Sequence, residues 1–357
     1  MFFSITVVIY FNLVLDRGVR TMIDDIVIVP MNSLAEKLSE IRKDHSLVFL
    51  LFSDLHTNAV DALSTQKLLD IIVSLRDEID MDALIDLGDN LSMLGREQHI
   101  SNDQVEETLR QLFDRVQEKA NCPLFFINGN HDAVGTDFFK PALWNRVVKG
   151  IYDQGLAKWH SHGSYFYADY GQENLRIVFL SIPYDSDIEA VYPKPLWEFG
   201  SEQLQWLKQD ALNTSHNILI FTHVPFFYRY HGDQSALLGV WDGEKATQSY
   251  ISDLCGWIDD VEEAASIIKA SGKVIACFSG HTHQDSLWEP YERRGEDTNP
   301  LPCHQIVTQK PIVYCEAEKY FDISLDILVW NPDDSQIRVL RVRDRVESFP
   351  KHNGITR

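Results

Sequence analysis

The chain has 357 residues, with 53 acidic against 32 basic side chains and a formal charge of −21 with histidine neutral. A surface so acidic repels phosphate backbones and anionic lipid head groups, which argues against bulk electrostatic binding to DNA, RNA or a membrane face. With 45% hydrophobic and 24% charged residues, the composition excludes a disordered or fibrous chain and leaves ample core material for one large α/β domain.

Residues 1–15 (MFFSITVVIYFNLVL) are apolar, but no basic residue precedes them, and Asp16 and Arg17 end the run. That is too early for a span of roughly 20 residues. Three readings stay open: a poor signal sequence, a buried strand, or translated sequence upstream of a natural start at Met22. The second and third are preferred, so no stable membrane anchor and a cytoplasmic location are expected. Five cysteines (Cys122, Cys255, Cys277, Cys303, Cys315) form no CxxC pair, which fits a reducing compartment. Cys303 and Cys315 could meet across a hairpin, although two small apolar side chains near strands is the favoured reading.

Further on, short apolar runs alternate with helix-period segments. Ser46 to Phe52 reads as a buried strand, Gln66 to Ile79 as a helix with Leu68, Leu69, Ile72 and Leu75 on one face, and Ala83 to Leu87 as the next strand. A helix over Asp103 to Ala120 and a strand over Leu124 to Ile127 follow. These βα units predict a sheet that begins parallel. Further strands are expected at Tyr165 to Asp169, Arg176 to Ser181, Ile218 to Thr222, Val274 to Ser279, Gln305 to Thr308, Ile312 to Cys315, Phe321 to Trp330 and Gln336 to Val342. Helices are expected at Glu202 to Leu212 and Trp257 to Ala270. The last strands look like antiparallel hairpins covering one edge or a second sheet, and Glu289 to Pro302 like a polar excursion without core pattern. The expected division is a lead-in over 1–45, one domain over 46–345 and a tail over 346–357.

Five short pieces each follow a predicted strand: Asp54-Leu55-His56, Gly88-Asp89-Asn90, Gly129-Asn130-His131-Asp132, Thr222-His223-Val224, and Gly280-His281-Thr282-His283 with Asp285. The carboxyl ends of strands in an open α/β sheet form one crevice, so the five can converge. Two Asp, four His and one Asn supply oxygen and imidazole donors without thiolate, which suits Mn, Fe or Zn in a catalytic site. Seven ligands exceed the needs of one ion. Two ions bridged by a carboxylate could clamp a phosphoryl group and bring positive charge into an acidic protein. His281 and His283 flank one residue, and in an extended segment both would face one side. Gly129 and Gly280 are expected to permit the turns that aim the loops.

The order D-x-H, GD, GNHD, H, GHxH over about residues 47–285 resembles the calcineurin-like metallophosphoesterases. The resemblance implies a four-layer α/β/β/α sandwich, the metallo-dependent phosphatase fold, with mixed sheets and a dinuclear metal site at the carboxyl ends of strands. It implies that Asp54, His56 and His283 bind one ion, that Asn130, His223 and His281 bind the other, and that Asp89 bridges. His131 would be no ligand but would protonate the leaving oxygen or stabilise phosphoryl oxygens. Asp132 would orient His131 or cap the following turn.

Ser92 stands three residues after Asp89, where protein Ser/Thr phosphatases of this superfamily carry Asp and purple acid phosphatases carry Tyr. The resemblance therefore narrows to the branch hydrolysing small phosphomono- or phosphodiesters, with hydroxide on the ions as nucleophile. A catalytically silent protein-binding scaffold and a nuclease of the same fold are the alternatives. Candidate substrate contacts are Asn90, Arg96, Phe227 and Tyr228. Phe226 and Phe227 could equally pack the loop on the sheet. No nucleic-acid partner is expected. No GxSxG, P-loop or GxGxxG pattern offers a different chemistry.

Overall fold

The structure, a computed structural model, describes residues 23–57, 62–91, 102–129, 132, 157–159, 165–181, 199–226, 228–229, 260–283, 285–294, 297–315 and 320–347. Among these, the chain runs through β1 (Ile23–Val29), a 3-10 turn (Met31–Ser33), α1 (Leu34–Ile41), β2 (Leu47–Phe52), α2 (Leu63–Glu78), β3 (Ala83–Asp86), α3 (Asn102–Ala120) and β4 (Leu124–Phe126). Next come β5 (Ala157–Trp159), β6 (Phe166–Tyr170), β7 (Leu175–Leu180), α4 (Gly200–Trp206) with a π turn (Leu207–Ala211), β8 (Asn217–Thr222), β9 (Tyr228–Arg229), α5 (Val261–Ser271) and β10 (Val274–Ser279). The last part holds β11 (Ser286–Trp288), β12 (Arg293–Arg294), β13 (Asp297–Thr298), β14 (His304–Val307), β15 (Ile312–Cys315), β16 (Tyr320–Asn331) and β17 (Gln336–Glu347).

Two mixed sheets of seven strands form the frame. The first has the order β1-β17-β16-β2-β3-β4, with β15 also paired to β16, and the second has the order β11-β14-β10-β8-β7-β6-β5. β2, β3 and β4 are parallel, with α2 and α3 as their crossovers. In the second sheet β7, β8, β10 and β14 are parallel. Every residue of β2, β3, β4 and β7 is buried, as continuous apolar runs require when both faces of a strand are covered.

The alternation of side chains along β4 shows what lies on each face. Phe125 turns to the second sheet, 5.4 Å from Phe179 and 6.3 Å from Phe166 by ring centroid, while Phe126 turns to α3, 3.9 Å from Phe113. Across the second sheet a ladder of stacked rings, Phe166, Phe179, Phe221 and Phe278, has neighbouring centroids 4.5, 5.2 and 5.2 Å apart. Offset-stacked pairs of this kind add roughly 0.5–1.5 kcal/mol each beyond the area they bury. On the other face of that sheet, Val178, Leu180, Ile218 and Ile220 form a second core with Leu204 and Trp206 of α4 and Ala264 and Ile268 of α5.

The late strands are antiparallel hairpins as expected, and β16 covers the edge of β2, pairing Asp326 with Leu51 and Trp330 with Leu47, while β15 pairs with its other half. Two expectations change. Residues 23–41, set apart from the domain in the sequence, supply β1, which pairs in parallel with β17, and α1, whose Leu34 and Leu38 are buried. The polar stretch Glu289 to Pro302 is anchored, because the buried Asn299 donates through Nδ2 to Glu289 O and Cys303 O and accepts from Leu301 N and Gln305 Nε2 through Oδ1. Cys303 is buried and faces Cys277, Sγ to Sγ 3.8 Å, as a small apolar side chain in the core. No helix among the described residues is long and apolar enough to cross a membrane.

Phe179 touches rings on both sheets and has no exposed surface. Phe179→Ala is therefore expected to lower the unfolding free energy by about 3–5 kcal/mol. Leu63→Ala, at a site 48% exposed, should change it by less than about 0.5 kcal/mol. Urea denaturation of the two variants checks the contrast.

Candidate metal centre

Both sheets present the carboxyl ends of parallel strands to one place. Residues 53–57 leave β2, residues 87–91 leave β3, His223 follows β8, and residues 280–283 follow β10. Pairing continues past the strands: the N–H groups of Asp54, His56 and Thr57 donate to Gly88 O, Asp89 O and Asn90 O at 2.7–2.9 Å, and Gly280 N donates to His223 O at 3.0 Å. Two of the bonds that cross between the sheets lie within this centre. His281 N donates to Asp54 Oδ2 at 2.8 Å, and His223 Nδ1 lies 2.8 Å from Leu87 O. A carbonyl can only accept, so Nδ1 of His223 carries the proton and Nε2 faces the cavity.

Two groups of donors result, Asp54 with His56 and His283, and Asp89 with His223 and His281, and within each the donor atoms lie within 4.8 Å of one another. Asp89 Oδ2 reaches both, at 3.2 Å from His223 Nε2 and 3.8 Å from His56 Nε2. Ring nitrogens face each other inside each group: His56 Nε2 to His283 Nε2 at 2.8 Å, and His223 Nε2 to His281 Nδ1 at 3.1 Å. Such nitrogens need a proton between them or a cation shared by both lone pairs. Asp54 Oδ1 is buried without a well-formed hydrogen bond, 3.3 Å from His283 Nε2 and 3.7 Å from His56 Nε2. An orphaned carboxylate oxygen among imidazole nitrogens fits a divalent cation.

The electrostatics make the same demand. Burial pushes the Asp54 carboxyl up, but the imidazoles of His283 and His56, with the charge of His223, hold it well below the usual carboxylate range. Burial also opposes a charge on His223, yet the carboxylates of Asp89 and then Asp54 raise it to about 9. Positive charge is thus favoured between these groups, whether carried by protons or by metal.

The backbone is bent to serve the site. Asp54, His56, Asp89, His281 and His283 all have φ between 48° and 70°, a left-handed conformation that non-glycine residues adopt at a cost. His281 and His283 therefore do not share a face of an extended segment. The turn sends His281 to His223 and His283 to Asp54 and His56. Gly129 and Gly280 matter for close approach: a Cβ on Gly129 would fall on the Asp89 carboxylate, and one on Gly280 would overlap the Ser53 hydroxyl and lie 2.6 Å from Asp54 Oδ2.

Asp132 is buried, and its two oxygens accept four backbone N–H groups: Asp89 and Gly129 on Oδ2, both at 2.9 Å, and Asn90 and Leu91 on Oδ1, at 2.8 and 3.1 Å. Its bonds run back to Gly129 and the loop after β3. Burial and the charge of Asp89 raise its carboxyl to about 7 against those hydrogen bonds. Asn130 and His131 lie outside the described residues, as do Arg96 and Phe227. Asn90 is 1% exposed, and Tyr228 pairs through its backbone with Thr298. Phe226 is buried against Phe199, and its backbone N–H and C=O are both held by the side-chain amide of Gln305.

Asp285 has more to do than the sequence indicated. Its carboxylate accepts Gln309 N and Ser324 Oγ, pairs with Arg343, and lies 3.4 Å from Arg341 Nε. Arg341 in turn forks onto Asp326 at 2.8 and 3.0 Å and donates to Val307 O. This buried network ties the loop carrying His281 and His283 to β16 and β17 of the first sheet. The signal in the sequence was a charge set inside each of two apolar stretches, Asp326 in ISLDILVW and Arg341 in VLRV.

Asp132→Ala strands four buried amide donors, and is expected to cost about 3 kcal/mol or more of stability and to reduce bound metal. Denaturant unfolding and metal analysis of the variant check both.

A family model described as calcineurin-like phosphoesterase matches residues 47–285. No curated protein matches the sequence. Among solved structures, a dimetal phosphatase from Danio rerio is similar at 14% identity and a TM-score of 0.48, over 83% of this chain and 98% of the other. The structure of PhoD is similar at 11% identity and a TM-score of 0.44, over 87% of this chain and 73% of the other. On the extent of the family match, about two-thirds of its length, the chain belongs to the calcineurin-like phosphoesterases.

Proposed function

We propose that the protein is a dinuclear metal-dependent hydrolase of small phosphomono- or phosphodiesters. The observation that carries this reading is the pair of donor groups meeting at Asp89, whose Oδ2 faces His223 on one side and His56 on the other. Asp54, His56 and His283 would hold one ion, His223 and His281 with Asn130 the other, and Asp89 would bridge. When bound, the ions supply Lewis acidity that activates water and offsets charge on phosphoryl oxygens.

The chain's own residues do the rest. Asp54 and Asp89 compensate the cations, and the bond from His223 Nδ1 to Leu87 O fixes the tautomer that presents Nε2. As water's oxygen bonds to phosphorus and the ester P–O bond breaks, His131 gives a proton to the leaving oxygen. Asp132 holds the Asp89 loop against Gly129, one residue from Asn130 and two from His131. The charge of −21 favours small, mobile substrates over long polyanions, which disfavours the nuclease alternative. A silent scaffold has no need of buried carboxylates aimed at imidazoles, and all seven residues of the ligand pattern are present.

Asp89→Asn should remove bound metal and hydrolysis of p-nitrophenyl phosphate and bis(p-nitrophenyl) phosphate together. Full turnover in that variant, or in wild type after complete chelation, would defeat the reading. His131→Ala should keep its metal and lose roughly 10²–10⁴-fold in kcat, measured by steady-state kinetics beside metal analysis. Loss of metal there would instead make His131 a ligand.

A further inference from the structure

The loop between β14 and β15, residues 308–311 (TQKP), leaves the second sheet beside the donors that follow β10. Thr308 N donates to Ser279 O at 2.7 Å, next to Gly280, and Thr308 Oγ1 donates to Asp326 Oδ2 at 2.8 Å. Gln309 N is held by Asp285 Oδ1 at 2.9 Å, and Pro311 O accepts Ser324 N at 3.0 Å. Lys310 is thus fixed between two anchored neighbours, at the same edge as His281 and His283.

The Lys310 side chain is half-buried. Among the described residues no hydrogen bond or ion pair engages its ammonium. Burial lowers its pKa, and the carboxylates that act against burial are Asp54 and Asp89, one from each donor group. A half-buried lysine held at this edge by its anchored neighbours, with no hydrogen bond or ion pair of its own among the described residues, leaves its charge available to a further partner. Once metal ions take up Asp54 and Asp89, those carboxylates no longer balance it, and the anion left to do so is the one that enters with substrate.

We propose that Lys310 is a phosphate contact of this site, its ammonium binding a non-bridging phosphoryl oxygen, so that dianionic phosphoryl groups are preferred over monoanionic diesters. The inference rests on the phosphoesterase reading above and adds a specificity-determining residue to it. An ammonium suits the task as a compact point charge that follows a phosphate oxygen without demanding bidentate geometry. A monoester or terminal phosphate carries the second negative charge that rewards the extra cation, whereas a diester does not.

The test uses the full chain loaded with Mn²⁺, with metal content measured in wild type, Lys310→Met and Lys310→Arg. Inorganic phosphate binding is read by calorimetry, and KM and kcat are read for p-nitrophenyl phosphate and bis(p-nitrophenyl) phosphate. In Lys310→Met, metal content should hold, phosphate affinity should fall and KM for the monoester should rise by about tenfold or more. KM for the diester should change by less than about threefold, and Lys310→Arg should recover most of the phosphate affinity. Phosphate affinity within about twofold of wild type in Lys310→Met, equal losses on both esters, or loss of metal would each overturn the proposal. Wild type that binds metal and phosphate but turns over neither ester would defeat the phosphoesterase reading, and the phosphate affinities of the variants would still decide the role of Lys310. Should Lys310→Met fold poorly by thermal melting, Lys310→Gln gives the same readouts with a polar side chain of similar length.

Discussion

Asp54 and Asp89 lie at 0% and 1% exposure where the two sheets meet, and an ionised carboxylate at such depth costs several kcal/mol unless opposite charge reaches it. Four histidines stand around the pair, and the rest of the architecture can be understood as the means of holding them there. Asp132 gathers the amides of Asp89, Asn90, Leu91 and Gly129, and His281 N caps Asp54 Oδ2. The Asp285, Arg341 and Asp326 network fastens the last histidine loop to the opposite sheet. Remove the central carboxylates and these supports have nothing to position.

Backbone strain and missing side chains belong to the same design. Five residues of the donor groups take left-handed φ values, and neither Gly129 nor Gly280 has room for a Cβ. Conformations that cost free energy persist where the surroundings over-determine them, and here strand pairing continued beyond the strand ends supplies that restraint. The described loops of the site are therefore held by ladder-like hydrogen bonds that continue past the strand ends.

Much of this was legible in the sequence because its signals are local. Apolar runs such as LVFLLF, each ending in a donor, mark buried parallel strands with chemistry at their carboxyl ends, and β2, β3, β8 and β10 follow them closely. What was not legible depends on partners distant along the chain. Asp326, Arg341 and Asp285 are ordinary charges until β16 and β17 lie beside the second sheet's loops. The place of β16 next to β2 is likewise invisible to periodicity, since an antiparallel strand pattern looks the same at an edge as in the middle. Asn299 turned a segment without core pattern into an anchored one through four hydrogen bonds, none of which composition announces. Gly129 and Gly280 stand out in the sequence as turn residues, whereas close contact with Asp89, Ser53 and Asp54 is what leaves no room for a side chain there.

The position of β16 bears on how the chain reaches this state during synthesis. β2, β3 and β4 emerge early and can pair at once, but the free edge of β2 has no strand to cover it until β16 is made, near the end of the chain. For that interval a row of apolar residues offers unpaired N–H and C=O groups to any neighbouring strand. Pairings of high sequence separation close slowly, so the edge of β2 is among the last parts of the first sheet to be covered. The antiparallel pair β16 and β17, joined by a short turn, arrives as a ready-made hairpin, and its docking seals the exposed edge of β2 and brings β17 to β1 in one step.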